Sequence, residues 1–226
     1  MISSLMEAPA RPCVFVLGGA KIADAFLMMQ TVLDRGIADQ VLSGGVVANI
    51  LLAAKGEDIG AASRGFIEKQ GYGSFIETAK PLLAKYGDRI VLPVDLAYTE
   101  NGTRSEAMVG HLPQDSMLVD IGVQTAAMYR AAILAAKTVF VNGPMGIFEQ
   151  EETEFGTKEV WQSLADTAAY TVVGGGDSVT ATNKYHLAAK IDYICTGGGA
   201  LIRFLSGEEL PVVRALRHAA GAFPLD

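Results

Sequence analysis

The sequence predicts an α/β protein built as three layers, a doubly wound, mostly parallel sheet with helices on both faces. Three observations predict it. Short apolar, β-branched runs alternate with segments whose apolar residues recur at helical spacing, the mark of a parallel sheet covered on both sides. Glycine clusters stand directly after these runs, at Gly18-Gly19, Gly44-Gly45, Gly143 to Gly146, Gly174 to Gly176 and Gly197 to Gly199. The stretch 170–179 condenses the pattern into an apolar run, three glycines, an acid, a hydroxyl and the start of a helical segment. Turns that follow parallel strands leave the sheet on one edge, so such a series builds one crevice.

The elements follow in order. Residues 13–17 form a compact apolar run read as a buried strand, and 22–33 carry helical periodicity after the turn 18–21. A second strand at 41–42 leads through Ser43-Gly44-Gly45 into a helix over 46–54 that ends near Gly56. Residues 61–86 read as helical with breaks at Gly71 and Gly73, and Pro81 either kinks the last part or starts its own turn. A strand over 90–92 continues past Pro93 to Leu96, and Asn101-Gly102 marks a hairpin tip within 99–104. Strands at 117–120, 138–141, 170–173 and 191–194 alternate with helices at 123–136, 157–168 and from the Gly174 to Gly176 turn to about 188. A short helix is expected over 200–205.

At 226 residues the chain has room for one large domain or two small ones, and no linker, repeat or low-complexity segment divides it. Half of the residues are apolar, enough for a sizeable core. The net charge of −7 argues against nonspecific nucleic-acid or anionic-membrane binding, which needs basic patches. Residues 1–11 lack the charged and apolar regions of a signal peptide, and no apolar run reaches the ~18 residues of a membrane span. Cys13 and Cys195 lie far apart, each in or beside an apolar strand, and read as buried reduced thiols of a cytoplasmic protein. His111, His186 and His218 show no ligand spacing, and Trp161 reads as a core residue on a helix.

Glycines let the backbone approach a bulky anion, and the N–H groups at a helix start point at it. Asp177, two residues past Gly175, can hold Mg²⁺, which binds through one or two carboxylates plus substrate phosphates. Together these describe a nucleotide-phosphate site at the C-terminal ends of parallel strands. No Walker A frame or dinucleotide fingerprint is present, and a single glycine turn is weak evidence of a ligand.

The set of motifs is far more specific. GlyGlyAlaLys at 18–21, AsnGlyProMetGlyIlePheGlu at 142–149, GlyThrLys at 156–158, GlyGlyGlyAspSer at 174–178 and ThrGlyGlyGlyAla at 196–200 stand in order. In that order and spacing the chain resembles the C-terminal, nucleotide-binding half of phosphoglycerate kinases, from Arg11 to about Leu216, and residues 43–49 look closest to the archaeal branch. The resemblance implies a Rossmann-like domain of a two-domain hinge enzyme that moves a phosphoryl group between ATP and 3-phosphoglycerate, with Mg²⁺. It further implies that residues 1–10 are a remnant of the interdomain hinge helix and 11–226 the nucleotide-binding domain, the family's phosphoglycerate-binding N-terminal domain being absent.

Residue roles follow from the same resemblance. Lys21 neutralises charge on the transferring phosphoryl group, and Gly198, within Gly197 to Gly199, faces that phosphate from the next helix start. Gly19 and Ala20 belong to the nucleotide site, the amides around Gly175 and Gly176 and the Ser178 hydroxyl take phosphate oxygens, Asn142 touches phosphate or caps its turn, and Asp177 takes Mg²⁺. Glu149 bonds the ribose hydroxyls, Pro144 and Met145 give the apolar side of an adenine slot, and Gly44 and Gly45 give its opposite wall. The other acids between 149 and 154 read as a solvated face. Ala25 departs from the family, which often has a second lysine there. ATP or ADP is the expected ligand; 3-phosphoglycerate would bind only through the absent domain, and turnover by this chain alone is expected to be absent. Two other readings stay open, a non-catalytic nucleotide-binding or scaffold module, and a remnant that dimerises through uncovered apolar surface.

Overall fold

The computed structural model describes residues 8–197. Six parallel strands form the main sheet in the order β3-β2-β1-β7-β8-β9. They are β1 (Cys13–Leu17), β2 (Gln40–Ser43), β3 (Ile90–Val91), β7 (Thr138–Asn142), β8 (Tyr170–Gly174) and β9 (Tyr193–Cys195). The central strands are continuous apolar runs because both of their faces are covered; all five residues of β1 are buried. Phe15 of β1 and Phe140 of β7 stack with ring centroids 5.0 Å apart.

The helices are α1 (Ile22–Asp34), α2 (Gly45–Lys55), α3 (Ala61–Lys69), α4 (Ser74–Tyr86), α5 (Val123–Ala135), α6 (Phe155–Asp166) and α7 (Gly176–Lys184). The chain winds outward from β1 to β2 and β3, and in the opposite sense from β7 to β8 and β9. Right-handed crossovers in opposite senses put their helices on opposite faces. Accordingly α1, α2 and α4 pack together, and α5, α6 and α7 form a second layer. The predicted three-layer, doubly wound architecture is present.

Register explains why the glycine turns converge. Leu17 pairs with Ser43 on one side and Asn142 on the other, Asn142 with Gly174, and Gly174 with Cys195. The strands therefore end level with one another, and their turns emerge along a common rim. The strand order reverses between β1 and β7, which is where open α/β sheets place their ligand crevice.

The structure departs from expectation in one large respect. The strand at 90–92 does not continue through Pro93 in the same sheet. Proline cannot supply a ladder N–H, and the chain turns away there. It enters a separate antiparallel sheet of order β5-β4-β6, made of β4 (Asp95–Glu100), β5 (Thr103–Met108) and β6 (Leu118–Ile121). The strand expected near 117–120 thus pairs antiparallel with β4 and not with the main sheet. The hairpin tip is as predicted: Asn101 and Gly102 both have positive φ, 51° and 76°, as a two-residue primed turn requires.

Smaller differences concern helix ends. The region 61–86 divides at the predicted glycines into α3 and α4, with Pro81 inside α4. α2 ends at Gly56, whose φ of 97° accompanies N–H bonds from Gly56 to Ala53 O (3.1 Å) and from Glu57 to Leu52 O (3.0 Å), a Schellman ending. α7 stops at Lys184, earlier than expected, and a short 3₁₀ turn occupies Ala188–Lys190. The hinge remnant lies mostly, and the 200–205 helix and Gly198 entirely, outside the described residues.

Trp161 is fully buried, as expected, and its indole donates to Thr182 Oγ1 at 2.8 Å, tying α6 to α7. Cys13 is buried and free, its thiol pushed up to about 12 chiefly by burial. Cys195 is free and half-buried. Among the described residues no helix is long and apolar enough to cross a membrane.

Candidate functional site

The rim is built from turns that pack backbone against backbone. A Cβ on Gly18 would fall 2.1 Å from Pro144 O, and one on Gly143 would fall 2.1 Å from Gly18 O. Gly143 also has φ +94°, and Gly175, at +90°, leaves no room for a Cβ against Asn142 Oδ1. Only glycine meets both demands at these points.

Most of the turn amides are spent in lacing the turns together. Gly18 N–H donates to Asn142 O (3.0 Å), Gly19 to Pro144 O (2.8 Å), Gly44 to Leu17 O (3.0 Å) and Gly45 to Met145 O (2.7 Å). Gly175 N–H donates to Cys195 O (3.0 Å). The first helical bond of α7 runs from Val179 N–H to Gly175 O (3.0 Å), so the N–H groups of Gly176, Asp177 and Ser178 have no carbonyl within their own helix. Those amides, with the starts of α1 at Lys21 and α2 at Gly44, turn positive helix ends toward one rim.

Lys21 Nζ lies 3.2 Å from Asp177 Oδ2. The two side chains are 64% and 53% exposed, and an ion pair that open contributes about 0–1 kcal/mol to stability. Lys21 stands at the N-terminal end of α1, where the helix dipole disfavours a cation. Asp177 lies in the first turn of α7, where an anion is favoured, and Gly175, not Asp177, is the N-cap.

Beside this pair a cleft of about 330 Å³ opens. Gly19, Ala20, Gly45, Pro144, Glu149 and Asp177 line it, so the predicted residues from four different segments meet around one space. A smaller indentation is contiguous with it, lined by Gly18 to Lys21, Ala25, Asn142, Gly175, Asp177 and Ser178. Ala25 is 3% exposed there.

Three predicted residues work from beneath the site. Ser178 is fully buried and its Oγ accepts the Gly143 N–H at 2.7 Å, so that lone pair braces a turn. Met145 is fully buried and wedged between Gly18 and Gly44, whose added Cβ atoms would lie 2.8 Å from its Cε. Gly44 is buried against that methionine, and Gly45 with Val46 takes its place on the cleft wall.

The sequence did not indicate the far wall. Ser63 and Phe66 of α3, Asn49 of α2, and Leu118 and Val119 of β6 all line the cleft. The one available signal was Asn49, a polar residue inside the apolar run of α2, one turn on from Gly45 and so on the same face. Nor are the acids after Glu149 all solvated. The Glu154 side chain is only 13% exposed and pairs with Lys184 at 2.6 Å. Lys184 also donates to Phe148 O at 2.6 Å, which fixes the loop that carries Glu149.

The opposite side of that loop rests on Asp120 of β6. Its carboxylate is buried, accepts the Gly156 N–H at 2.6 Å and meets Arg104 Nη1 at 2.9 Å. Burial pushes its pKa up to about 6 against the pull of Gly156 and Arg104. A Cβ at Gly146 or Gly156 would strike this carboxylate, which accounts for both glycines.

A family model described as phosphoglycerate kinase matches residues 1–208. The phosphoglycerate kinase of Thermoplasma volcanium is 43% identical over 225 residues, which cover 99% of this chain and 55% of that protein. That of Methanosarcina mazei is 46% identical over 215 residues, 95% of this chain and 51% of that one. Among solved structures, the crystal structure of phosphoglycerate kinase from Pyrococcus horikoshii OT3 matches with a TM-score of 0.91 at 38% identity, covering 98% of this chain and 56% of that one. The chain spans about half the length of the curated relatives it matches. With its motifs gathered at one rim and its sequence matched along nearly its whole length, the chain belongs to the phosphoglycerate kinase family.

Proposed function

We propose that this chain supplies the Mg·ADP/ATP-binding half of a phosphoglycerate kinase. The observation that carries the reading is the exposed Lys21–Asp177 pair, 3.2 Å apart at converging helix N-termini and opening onto the cleft that Glu149 borders. A nucleotide laid along the cleft would set its phosphates against the α7 amides, with Lys21 balancing the negative charge of the phosphoryl group in transit. Glu149, exposed at the cleft's edge, is the acceptor for ribose hydroxyls. Phosphoryl transfer asks mainly for positioning and electrostatic stabilisation, and this chain's residues supply both.

Asp177 suits Mg²⁺, because its carboxylate is half-exposed and engaged at one oxygen by a lysine that phosphate would draw away. Among the described residues no three His, Cys, Asp or Glu side chains gather into a metal cage. Magnesium held by one carboxylate plus phosphates and water needs no such cage. When bound at Asp177, the ion would supply positive charge against the phosphates.

The acceptor, 3-phosphoglycerate, belongs in this reading to the other half of the enzyme, and this 226-residue chain alone gives little or no turnover. The alternative, a nucleotide-binding module without catalysis, draws on Ala25, buried where the family often has a second lysine. Titration calorimetry with ADP tests the reading. Saturable binding that strengthens with Mg²⁺, and loses that dependence in Asp177→Ala, is the expected result. No ADP binding by the wild-type chain would end it, and normal turnover of ATP with 3-phosphoglycerate by this chain alone would overturn its incompleteness.

A further inference from the structure

The cleft is polar at two places of different character. Around its open edge stand the charged Glu149 and Asp177, both exposed. Its buried wall is apolar, formed by residues such as Phe66 and Leu118, except for Asn49 and Ser63, which are 7% and 2% exposed. Ser63 Oγ accepts the Leu118 N–H at 3.0 Å. The Asn49 carboxamide has no hydrogen-bond partner among the described residues, although it is more than nine-tenths buried. Its polar atoms are not sealed from solvent but are reached from the cleft that the residue lines, so a neutral donor–acceptor pair held ready in an apolar wall marks a ligand contact.

We propose that Asn49 reads the base of the bound nucleotide and sets a preference for 6-aminopurines over 6-oxopurines. The inference rests on the nucleotide reading of the cleft given above. A carboxamide offers one acceptor beside one donor pair, which matches the 6-amino group of adenine and its N7. A 6-oxopurine keeps the N7 acceptor and puts a second acceptor where that amino group was, so in either orientation of the carboxamide the Asn49 oxygen finds no donor. The phosphate-binding residues lie at the rim and bear equally on both nucleotides, which leaves Asn49 to separate them.

Calorimetry with Mg·ADP and Mg·IDP is the test, since the two bases differ only at the 6-position and its neighbouring ring proton. The wild-type chain should bind ADP roughly tenfold more tightly, the discrimination expected for one good bidentate pair. Asn49→Leu, of similar size, should bind the two within about twofold of each other, chiefly through weaker ADP binding. Asn49→Ala should do the same and cannot overpack, so it serves if the leucine variant fails to fold. Equal affinity of the wild type for ADP and IDP, or an unchanged ratio in the variants, overturns the inference while leaving the cleft a nucleotide site. Failure of the wild type to bind either nucleotide overturns the cleft reading and this inference with it.

Discussion

Lys21, Glu149 and Asp177 owe their selection to the ordered set of motifs and not to any single glycine turn, and the structure puts Lys21 3.2 Å from Asp177 with Glu149 and Asp177 on one cleft. Met145, Gly44 and Ser178 were legible as members of the same motifs, but a motif does not say which of its residues face outward. The structure turns these three inward, where they hold the turns apart or brace them. The demand on one such turn can be measured. Gly143→Ala meets both a φ of +94° and a Cβ position 2.1 Å from Gly18 O, whereas Gly36→Ala meets a φ of +64° and open space. The left-handed conformation alone costs ~1–2 kcal/mol. Gly36→Ala should therefore lower Tm by a few degrees, and Gly143→Ala by well over 5 °C or to the point of misfolding; thermal melts followed by circular dichroism decide between them. Asp120 gives a second residue-scale expectation. Its pKa, about 6 when folded, exceeds the 3.8 of an ordinary aspartate, so the folded state holds this proton more tightly than the unfolded chain. Its contribution to stability therefore grows as pH falls from 7 through 6 toward 4, by up to about 3 kcal/mol. Urea midpoints at pH 7 and pH 5 should show somewhat less than half of that gain, about 1 kcal/mol, in the wild type and lack it in Asp120→Asn. Asp58 and Asp166, held below the usual carboxylate range by the Gly60 N–H and by Arg130, act in the opposite direction but only below this window.

At the scale of elements, strand and helix existence followed from periodicity, and helix breaks followed from glycine. Partner choice did not. The run near 117–120 is as apolar as the parallel strands, and only the antiparallel partner delivered by the Asn101-Gly102 hairpin decides its sheet. The wall formed by α3 and β6 could not be read for the same reason, since Ser63 and Leu118 are brought together across 55 residues of chain. Buried hydroxyls hold such distant elements. Tyr129 of α5 is fully buried and its hydroxyl reaches Ser43 O at 2.7 Å and Val91 O at 3.1 Å, at the ends of β2 and β3. Tyr129→Phe keeps the ring and removes the donor to Ser43 O, while Val91 O still accepts from Ser43 Oγ at 3.1 Å. It should cost roughly 1–3 kcal/mol, with little change in the urea m-value because the surface exposed on unfolding is nearly the same.

Over the whole molecule, one continuous core joins residues of both sheets, and the central strands β1 and β7 are its most enclosed part. Hydrogen exchange should rank the amides accordingly: slowest in β1 and β7, fastest in β5, whose residues are exposed or half-buried throughout. Equal protection of β5 and β1 would contradict that order. The departure at Pro93 has a further consequence. The glycine rim hangs from the parallel sheet, while the deep wall of the cleft belongs partly to the small antiparallel one. On the proposed reading the phosphate-facing turns and the far wall stand on separate frames, with Asn49 of α2 attached to the first. If the cleft takes a nucleotide as proposed, substitutions along β6 and α3 would reshape the wall around its heterocycle without touching the turns that face its phosphates, a dial open to descent with modification.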